Sequence, residues 1–305
     1  MSIDLRLFLG LLLSALIGGL GYWRQALSLS GVVGAMLVGT LIFGLGGWVW
    51  GLLLITFFVS SSWLSHYRRA DKASLLDDAR GINGSAAGQV GATGSRRDFG
   101  QTLANGGLGA ILAIASVRAG TDAARGIHGS AADLLLFAAF VGVMATVNAD
   151  TWATELGTLS RVPPRLITTG KVMTPGTSGA VTRLGIWASV AGALLIGAVA
   201  TALTQAASLL SGSSWSLRAI SYALLAVVGG LAGSLFDSLL GATVQGVYYC
   251  DRCAKQTESP THRCGQIARP LRGWGWLNND VVNLLASLVG GLVAVSLAWI
   301  LWRGA

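Results

Sequence analysis

Residues 148–182 read NADTWATELGTLSRVPPRLITTGKVMTPGTSGAVT, and this polar stretch stands between two long apolar segments of the chain. It combines acids, hydroxyls, a lysine and a glycine-rich turn. Acids left unpaired at the edge of a membrane are unfavourable, so they are retained mainly where they have a function. The stretch therefore predicts a functional region where a transmembrane helix reaches the membrane surface.

The composition is typical of a polytopic membrane protein. The 305 residues are 53% hydrophobic and only 11% charged, with 43 glycines and a mean hydropathy of +0.64. A membrane span needs roughly 20 apolar residues. Candidate spans lie at 5–20, 31–46, 47–64, 103–118, 134–150, 184–207, 219–245 and 281–302. We expect an all-α bundle of about eight spans, with seven to nine allowed, forming a single integral membrane domain over residues 1–305.

The first candidate span has some features of a signal peptide. It lacks a basic leader and a clear small-residue cleavage site, so we interpret residues 5–20 as a span. The first three spans carry almost no ionisable groups. They are expected to serve as scaffold or as a wall facing lipid.

The charge distribution predicts an orientation. The net charge is +8, and most basic residues fall in the loops after spans one, three, five and seven. By the positive-inside rule these connecting loops are cytoplasmic, which places both termini outside. We expect the inner or plasma membrane of a bacterial-type cell, with a cytoplasmic active face. No basic patch is interleaved with aromatic residues, which argues against nucleic-acid binding.

A polar, glycine-rich cytoplasmic loop covers residues 65–102, and it is either an ordered amphipathic connector or a lid over the membrane face. At its end Arg97, Gln101 and Asn105 recur every fourth residue, so they are expected to share a helical face. One interpretation is a helix entry with a snorkelling arginine. The other is a stripe that faces a phosphate group.

Acids and hydroxyls cluster at the end of span five, at Asn148, Asp150, Thr151, Thr154 and Glu155. Asp150 and Glu155 have the chemistry to hold Mg²⁺, which binds carboxylate oxygens together with substrate phosphates. The alternative is that an arginine in the following loop neutralises these carboxylates.

Two later spans carry further polar groups at the same predicted membrane edge. Asp237 lies inside an otherwise apolar helix and needs a partner, either the Mg²⁺ held by span five or an arginine in a structural salt bridge. Asn279 and Asn283 are four residues apart at the start of the last span. We expect these side chains to meet the span-five acids across the bundle.

The glycine turn before span six has features of an anion site. Gly176, Thr177, Ser178 and Gly179 can direct backbone N–H groups into one concavity, followed by a helix N-terminus. Lys171 adds a point charge for the same anion. No Walker A sequence is present, and a glycine-rich helix entry is the alternative.

The three cysteines all lie in a cytoplasmic loop at 246–280. Cys250, Cys253, His262 and Cys264 form a CxxC followed by HxC, which supplies four ligands for a tetrahedral structural Zn²⁺. Reduced thiols without metal and a redox role are the alternatives.

In this order, the motifs resemble the membrane family that includes human transmembrane protein 19 and the plant phytyl-phosphate kinase of tocopherol synthesis. The resemblance is strongest over residues 97–283. More distantly, DTWATELG and GTSG look like the motifs of CTP-dependent lipid kinases and CDP-lipid synthases. The implied enzyme is a Mg²⁺-dependent kinase that transfers a phosphate from a nucleoside triphosphate, such as CTP, to a membrane-embedded isoprenoid monophosphate. The implied site residues are Asp150, Glu155, Lys171, Thr177, Ser178, Gly179 and Asp237.

Other functions remain open at this point. A nucleotidyltransferase that makes a CDP-lipid would use the same metal and phosphate groups. A transporter should show related polar breaks in repeated halves, whereas the acids here cluster at one face. A non-catalytic lipid-binding or structural protein should tolerate loss of the acids.

Overall fold

The computed structural model describes residues 2–78, 96–118, 130–212, 214–253, 255–262 and 264–303. Much of the predicted 65–102 loop, at 79–95, lies outside these ranges. Within them, eight helices are long and apolar enough to cross a membrane. They confirm the all-α polytopic fold predicted from the sequence.

The chain begins with α1 (Ile3–Trp23), α2 (Leu29–Leu41), a π-helical turn (Ile42–Gly46) and α3 (Trp48–His66). A short helix follows, α4 (Arg69–Asp78), and then α5 (Phe99–Arg118), α6 (Ala131–Gly157) and α7 (Arg183–Leu210). The last helices are α8 (Leu217–Thr243) and α9 (Asn279–Trp302). The strands are β1 (Arg165–Leu166), β2 (Ala180–Val181), β3 (Val247–Cys250), β4 (Lys255–Thr257) and β5 (Arg269–Arg272).

Helix α6 forms the centre of the bundle. It packs against α7, α8 and α9 on one side and against α3 and α5 on the other. In its most apolar stretch 67% of the residues are buried, compared with 17% in α1. The helix starts at a capping box, in which Ser130 and Asp133 satisfy each other's backbone N–H groups. It continues to Gly157, beyond the predicted span end at 150, so the DTWATELG motif is still helical.

Small residues bring three helices into close contact around Thr146 of α6. A methyl group added at Gly233 of α8 or at Gly290 of α9 would overlap the Thr146 side chain. The Thr146 hydroxyl donates a hydrogen bond to the carbonyl of Gly142, at 2.9 Å, and lies 3.3 Å from that of Gly229. Small residues allow such close helix approach in membranes. Side chains one or two turns along these helices are thereby brought together.

The loops on the side of the motifs contain small sheets, which the sequence did not predict. Strands β1 and β2 pair antiparallel, and β3 lies between β4 and β5 in an antiparallel sheet. The predicted 246–280 loop is therefore folded onto the end of α8. It carries Glu258, Arg272 and the four predicted zinc ligands, which are described below.

Candidate active site

A polar recess lies between α5, α6, α8 and α9. Asp150, Asp237, Asn105, Asn283 and Thr151 line it, and it has a volume of about 280 Å³ counted with its opening. In the sequence these five residues belong to four separate motifs, one on each helix. The close packing around Thr146 brings three of these helices, α6, α8 and α9, together here.

The recess lies about two helical turns from the ends of the helices that carry its two acids. With a rise of about 1.5 Å per residue, Asp150 is about 10 Å from the end of α6 at Gly157. Asp237 is about 9 Å from the end of α8 at Thr243 by the same measure. The carboxylates are thus held below the helix ends, where both residues are partly buried.

The two acids in the recess need a cation or a proton. Ser234 lies close enough to interact with the Asp150 carboxylate. In contrast, the Oδ2 atom of Asp237 is buried and has no hydrogen-bond partner among the described residues. Two carboxylates facing one small recess repel each other unless a charge of opposite sign is bound. Together with the amide oxygens of Asn105 and Asn283, they form a donor set that fits Mg²⁺.

Glu258, directly after β4, lies outside the lining of this recess on its loop side, which we call the mouth of the recess, and it was not identified from the sequence. The residue is accessible to solvent, but its carboxyl group is surrounded by protein and lies close enough to Asp150 and Asp237 to act on both electrostatically. This burial raises the pKa of Glu258, and interactions with Gln245 and Ser178 oppose the rise. The only sequence signal was an acid between the two halves of the Cys/His motif.

Arg272 attaches β5 to the end of α8 beside this mouth. Its guanidinium group donates to the carbonyls of Ala242, at 2.7 Å, and Gly241, at 2.8 Å. These carbonyls are left without intrahelical partners at a helix C-terminus, where a basic side chain is stabilising. Arg272 also interacts electrostatically with Glu258, so the sheet and the recess mouth are held together.

The glycine turn closes onto the end of α8 instead of forming the open concavity predicted for residues 176–179. Gly179 has a φ of +79° and lies directly against the Ala242 backbone, so a larger side chain would not fit. The N–H and hydroxyl groups of Thr177 both donate to the Thr174 carbonyl. Ser178 donates to Oε1 of Gln245 at 2.7 Å. Ser178 thus joins the turn to the residues that follow α8, and Gly176, with a φ of +81°, completes the turn.

Glu155 occupies a different environment from that predicted for a Mg²⁺ ligand. Its Oε2 atom is 2.6 Å from Nζ of Lys72 on α4, and its Oε1 atom accepts a 2.7 Å hydrogen bond from Ser65. Lys72 is completely buried and also donates to the Leu64 carbonyl. The neutralising cation is therefore a lysine of the preceding connector, not an arginine of the following loop.

The side chain of Asn148 also makes hydrogen bonds that join helices. Its amide nitrogen donates to the Gly192 carbonyl at 2.8 Å, and its oxygen accepts from Ser60 at 2.9 Å. Both polar ends of this fully buried side chain are used to join α6 to α7 and α3. The prediction that Asn148 binds the nucleotide or metal is not supported by this geometry.

Other predicted site residues lie away from the recess lining. Thr154 and Lys171 are exposed. Gln101 lies in the first turn of α5, where its backbone N–H donates a hydrogen bond to the side chain of Asp98, the residue before the helix. Asn279 is the first residue of α9, and the cap is its neighbour Asn278, which accepts from the N–H of Val281.

An apolar groove runs between α1, α2, α3 and α5, and the first three spans, which were predicted to be scaffold or a wall facing lipid, supply most of its lining. It has a volume of about 720 Å³ counted with its opening. The lining is almost entirely apolar, for example Ile17, Ala35 and Leu54, and Arg97 and Asn105 are among its few polar groups. Asn105 also lines the recess that contains Asp150. The groove and the recess therefore share a wall.

Arg97 places a positive charge in the wall of this groove. The residue precedes α5, so it does not continue the helical stripe predicted with Gln101 and Asn105. Its guanidinium carbon lies 5.5 Å from the centre of the Phe57 ring, and a nitrogen lies 3.5 Å from the Ser62 hydroxyl. Burial lowers the pKa of Arg97 to about 10, so the side chain remains charged at neutral pH.

The four predicted zinc ligands come together in the folded 246–280 region. The sulfur atoms of Cys250, Cys253 and Cys264 and a ring nitrogen of His262 all lie within 4.8 Å of one another. A side-chain hydrogen bond with His262 is the main cause that lowers the pKa of Cys264 to about 6.

Comparison with known proteins agrees with this architecture. The sequence matches the family described as "Integral membrane protein DUF92" over residues 12–291. It is 31% identical to Protein PGR of Arabidopsis thaliana over 290 residues, which cover 94% of each chain. An uncharacterized membrane protein of Methanocaldococcus jannaschii is 28% identical over 292 residues, which cover 95% of this chain and 94% of that protein.

A more distant relative is Protein VTE6, chloroplastic, of Arabidopsis thaliana. It is 26% identical over 269 residues, which cover 88% of this chain and 64% of that protein. No solved structure matches the chain.

Proposed function

The chain belongs to the DUF92 family of integral membrane proteins, and we propose that it is a membrane kinase for an isoprenoid monophosphate. It would transfer the terminal phosphate of a nucleoside triphosphate, such as CTP, to the lipid phosphate, giving the diphosphate. The observation that carries this proposal is the wall shared by the apolar groove and the acidic recess. Asn105 lines both cavities.

The groove supports an isoprenoid as the acceptor. Its walls are apolar over most of their length, as a hydrocarbon chain requires. The walls come from α1, α2, α3 and α5, and the first two of these are among the helices with the least buried surface. A substrate dissolved in the membrane can therefore enter sideways from the lipid.

The polar groups of the groove support a phosphate at the end of that chain. Arg97 supplies a positive charge and Asn105 an amide, and both line the groove. A guanidinium group matches the geometry of phosphate oxygens. The lipid phosphate would thus be held beside the recess.

Asp150 and Asp237 fit a metal-dependent phosphoryl transfer. Their two carboxylates would hold Mg²⁺, which would supply positive charge to neutralise the phosphates of the nucleotide. The two aspartates are partly buried below the helix ends and line the same recess. Asn283 and Thr151 supply further oxygen atoms to the same recess.

The reaction needs no strong base at this site. The attacking oxygen belongs to a phosphate that is already an anion at neutral pH, and phosphoryl transfer depends mainly on positioning and electrostatics. Accordingly, the described residues that line the recess include acids, amides and hydroxyls but no histidine. The nucleotide would approach from the loop side, past Ser178 and Glu258. We propose that this is the cytoplasmic side, because most basic residues of the chain lie in the loops there.

The proposal is tested with purified protein in detergent or nanodiscs. Each nucleoside triphosphate is incubated with Mg²⁺ and with phytyl, geranylgeranyl or longer prenyl monophosphate, and the products are read by mass spectrometry. We expect a gain of one phosphate on the lipid and loss of the product in Asp150→Asn. A gain of a whole nucleotide would replace the kinase by a CDP-lipid synthase. An unchanged lipid under all conditions would overturn both.

A further inference from the structure

We propose that Cys250, Cys253, His262 and Cys264 hold a structural Zn²⁺ that fixes Glu258 at the mouth of the acidic recess. Zinc binding is independent of the proposed function, whereas the effect on the recess rests on it. Three features of the molecule support this site: the spacing of the ligand atoms, the two turns that carry them and the position of Glu258 between those turns.

The ligand atoms have the spacing of a tetrahedral zinc site. Zinc–sulfur bonds of about 2.3 Å place neighbouring ligands of a tetrahedron about 3.8 Å apart. Here the sulfur atoms of Cys250 and Cys264 are 3.6 Å apart, and Nδ1 of His262 is 3.1 Å from the Cys264 sulfur. All four ligand atoms lie within 4.8 Å of one another. Three thiolates and one imidazole are a common ligand set for structural zinc.

The ligands are presented by two turns that face each other. Cys250 is the buried last residue of β3, and Cys253 follows in the turn that leads to β4. His262 and Cys264 lie in a second turn, where the N–H of His262 donates to the Gln266 carbonyl and the N–H of Gly265 donates to His262. Each turn contributes two ligands. This is the arrangement by which one metal ion joins two short chain segments.

The surrounding sheet is small, so a link between its turns would stabilise it. Strands β3, β4 and β5 contain only three or four residues each, at the short end of the usual range. A bond between the two sulfur atoms of Cys250 and Cys264 would join the same turns, but it would leave Cys253 and His262 without a role. The convergence of all four side chains favours the metal.

The position of Glu258 connects this site to the recess. Glu258 lies in the segment between the two ligand turns, directly after β4. Zinc would therefore fix both ends of the segment that carries its carboxylate. The opposite side of the sheet is held by Arg272 on the end of α8. Glu258 would act as a positioning residue, which keeps a negative charge beside the recess and favours entry of Mg²⁺.

The zinc site is tested by metal analysis of the full-length protein, purified without chelators and without a metal-affinity column. We expect about one zinc per chain, and less than about one tenth of that in Cys253→Ser and Cys264→Ser, because each removes a ligand. The matched control is Asp251→Asn, which changes an exposed carboxylate within the same turn and should leave the zinc content unchanged. Zinc-free wild-type protein, or full zinc in both cysteine variants, would overturn the proposal.

Two further measurements address two other cases: a cysteine variant that does not fold, and two cysteines that form a disulfide instead of binding zinc. Wild-type protein loaded with Co²⁺ should show the strong visible absorption of tetrahedral cobalt with thiolate-to-metal charge transfer. Its absence would count against the site without the need for any variant. A thiol titration of the unreduced, denatured protein in the presence of a chelator should find three free thiols. A single free thiol would mean a disulfide and would overturn the zinc assignment.

The link to the recess has its own readout. In Glu258→Gln, zinc content should stay at the wild-type level, while the KM for the Mg²⁺–nucleotide rises about 10-fold, the lower limit for losing an outer-shell partner. We expect kcat to change much less, because Glu258 does not contact the reacting atoms. An unchanged KM would remove Glu258 from the recess. If no kinase activity is found at all, the proposed function fails while the zinc measurement still stands.

Discussion

Asp150 and Glu155 are five residues apart on α6, and their environments differ completely. Five residues correspond to about 140° around a helix, so the two side chains face different neighbours. Glu155 faces α3 and α4, where Lys72 and Ser65 satisfy both of its oxygens. Asp150 faces α8 and α9 and shares the recess with Asp237. A buried acid is therefore a stronger candidate for function when it shares a recess with a second acid than when a lysine of the same chain neutralises it.

The comparison is tested most strongly at Asp150. Asp150→Asn removes a charge from the recess while keeping the shape of the side chain, so we expect a rate loss of about 10³-fold, the upper end for one electrostatic stabiliser. Folding should be unaffected or slightly stabilised, because two like charges no longer face each other. Single-turnover kinetics and thermal unfolding in detergent measure the two effects. A rate within tenfold of wild type would contradict the assignment, and Asp237→Asn should repeat the result.

The opposite pattern is expected at the Glu155 pair. Glu155→Gln leaves the buried Lys72 ammonium without its counter-ion, and breaking such a pair typically costs about 3–5 kcal/mol of stability. Denaturant or thermal unfolding in detergent measures the loss. The turnover of the protein that remains folded should stay near that of wild type.

A double variant separates the ion pair from a catalytic role for Glu155. Replacing both partners, as in Glu155→Gln with Lys72→Met, removes the unpaired charge and should recover much of the lost stability. A catalytic Glu155 would instead show a large rate loss in the double variant as well. That outcome would restore the Mg²⁺ role predicted from the sequence.

The groove allows a test with a smaller expected effect, which should depend on the length of the lipid. Ala35 lines the groove, so Ala35→Trp should narrow the space for the isoprenoid. We expect the KM for geranylgeranyl phosphate to rise about 10-fold, which is at the low end of the effects seen when a substrate fits an apolar pocket poorly. A short prenyl phosphate should be affected less. The matched control is Leu37→Trp on the same helix, because Leu37 is 47% exposed and faces away from the protein interior. Equal effects of the two variants would argue against the groove as the lipid site.

The spans were predictable because hydropathy depends only on local composition. The partners of the acids were not, because they depend on helix rotation and on segments distant in sequence. Lys72 reaches Glu155 from the connector before α5, and nothing in its local sequence indicates burial. The same holds for Glu258, which reaches the recess only because the loop after α8 folds into a sheet. In contrast, Asp150 and Asp237 were identified correctly as neighbours, because both interrupt apolar helices near the same membrane edge.

The smallest effect is expected at Lys171, where the sequence pattern and the structure differ most. From its place beside the glycine turn, the lysine was expected to neutralise the transferring phosphate, and its loss to slow the reaction by about 10²–10³-fold. The structure places the side chain in solvent, outside the recess lining. Lys171→Ala should therefore change kcat/KM by no more than about twofold, as for most surface substitutions. A loss of 10²-fold would mean that the β1–β2 region closes over the bound nucleotide, and the active site would then include the exposed turn as well as the recess.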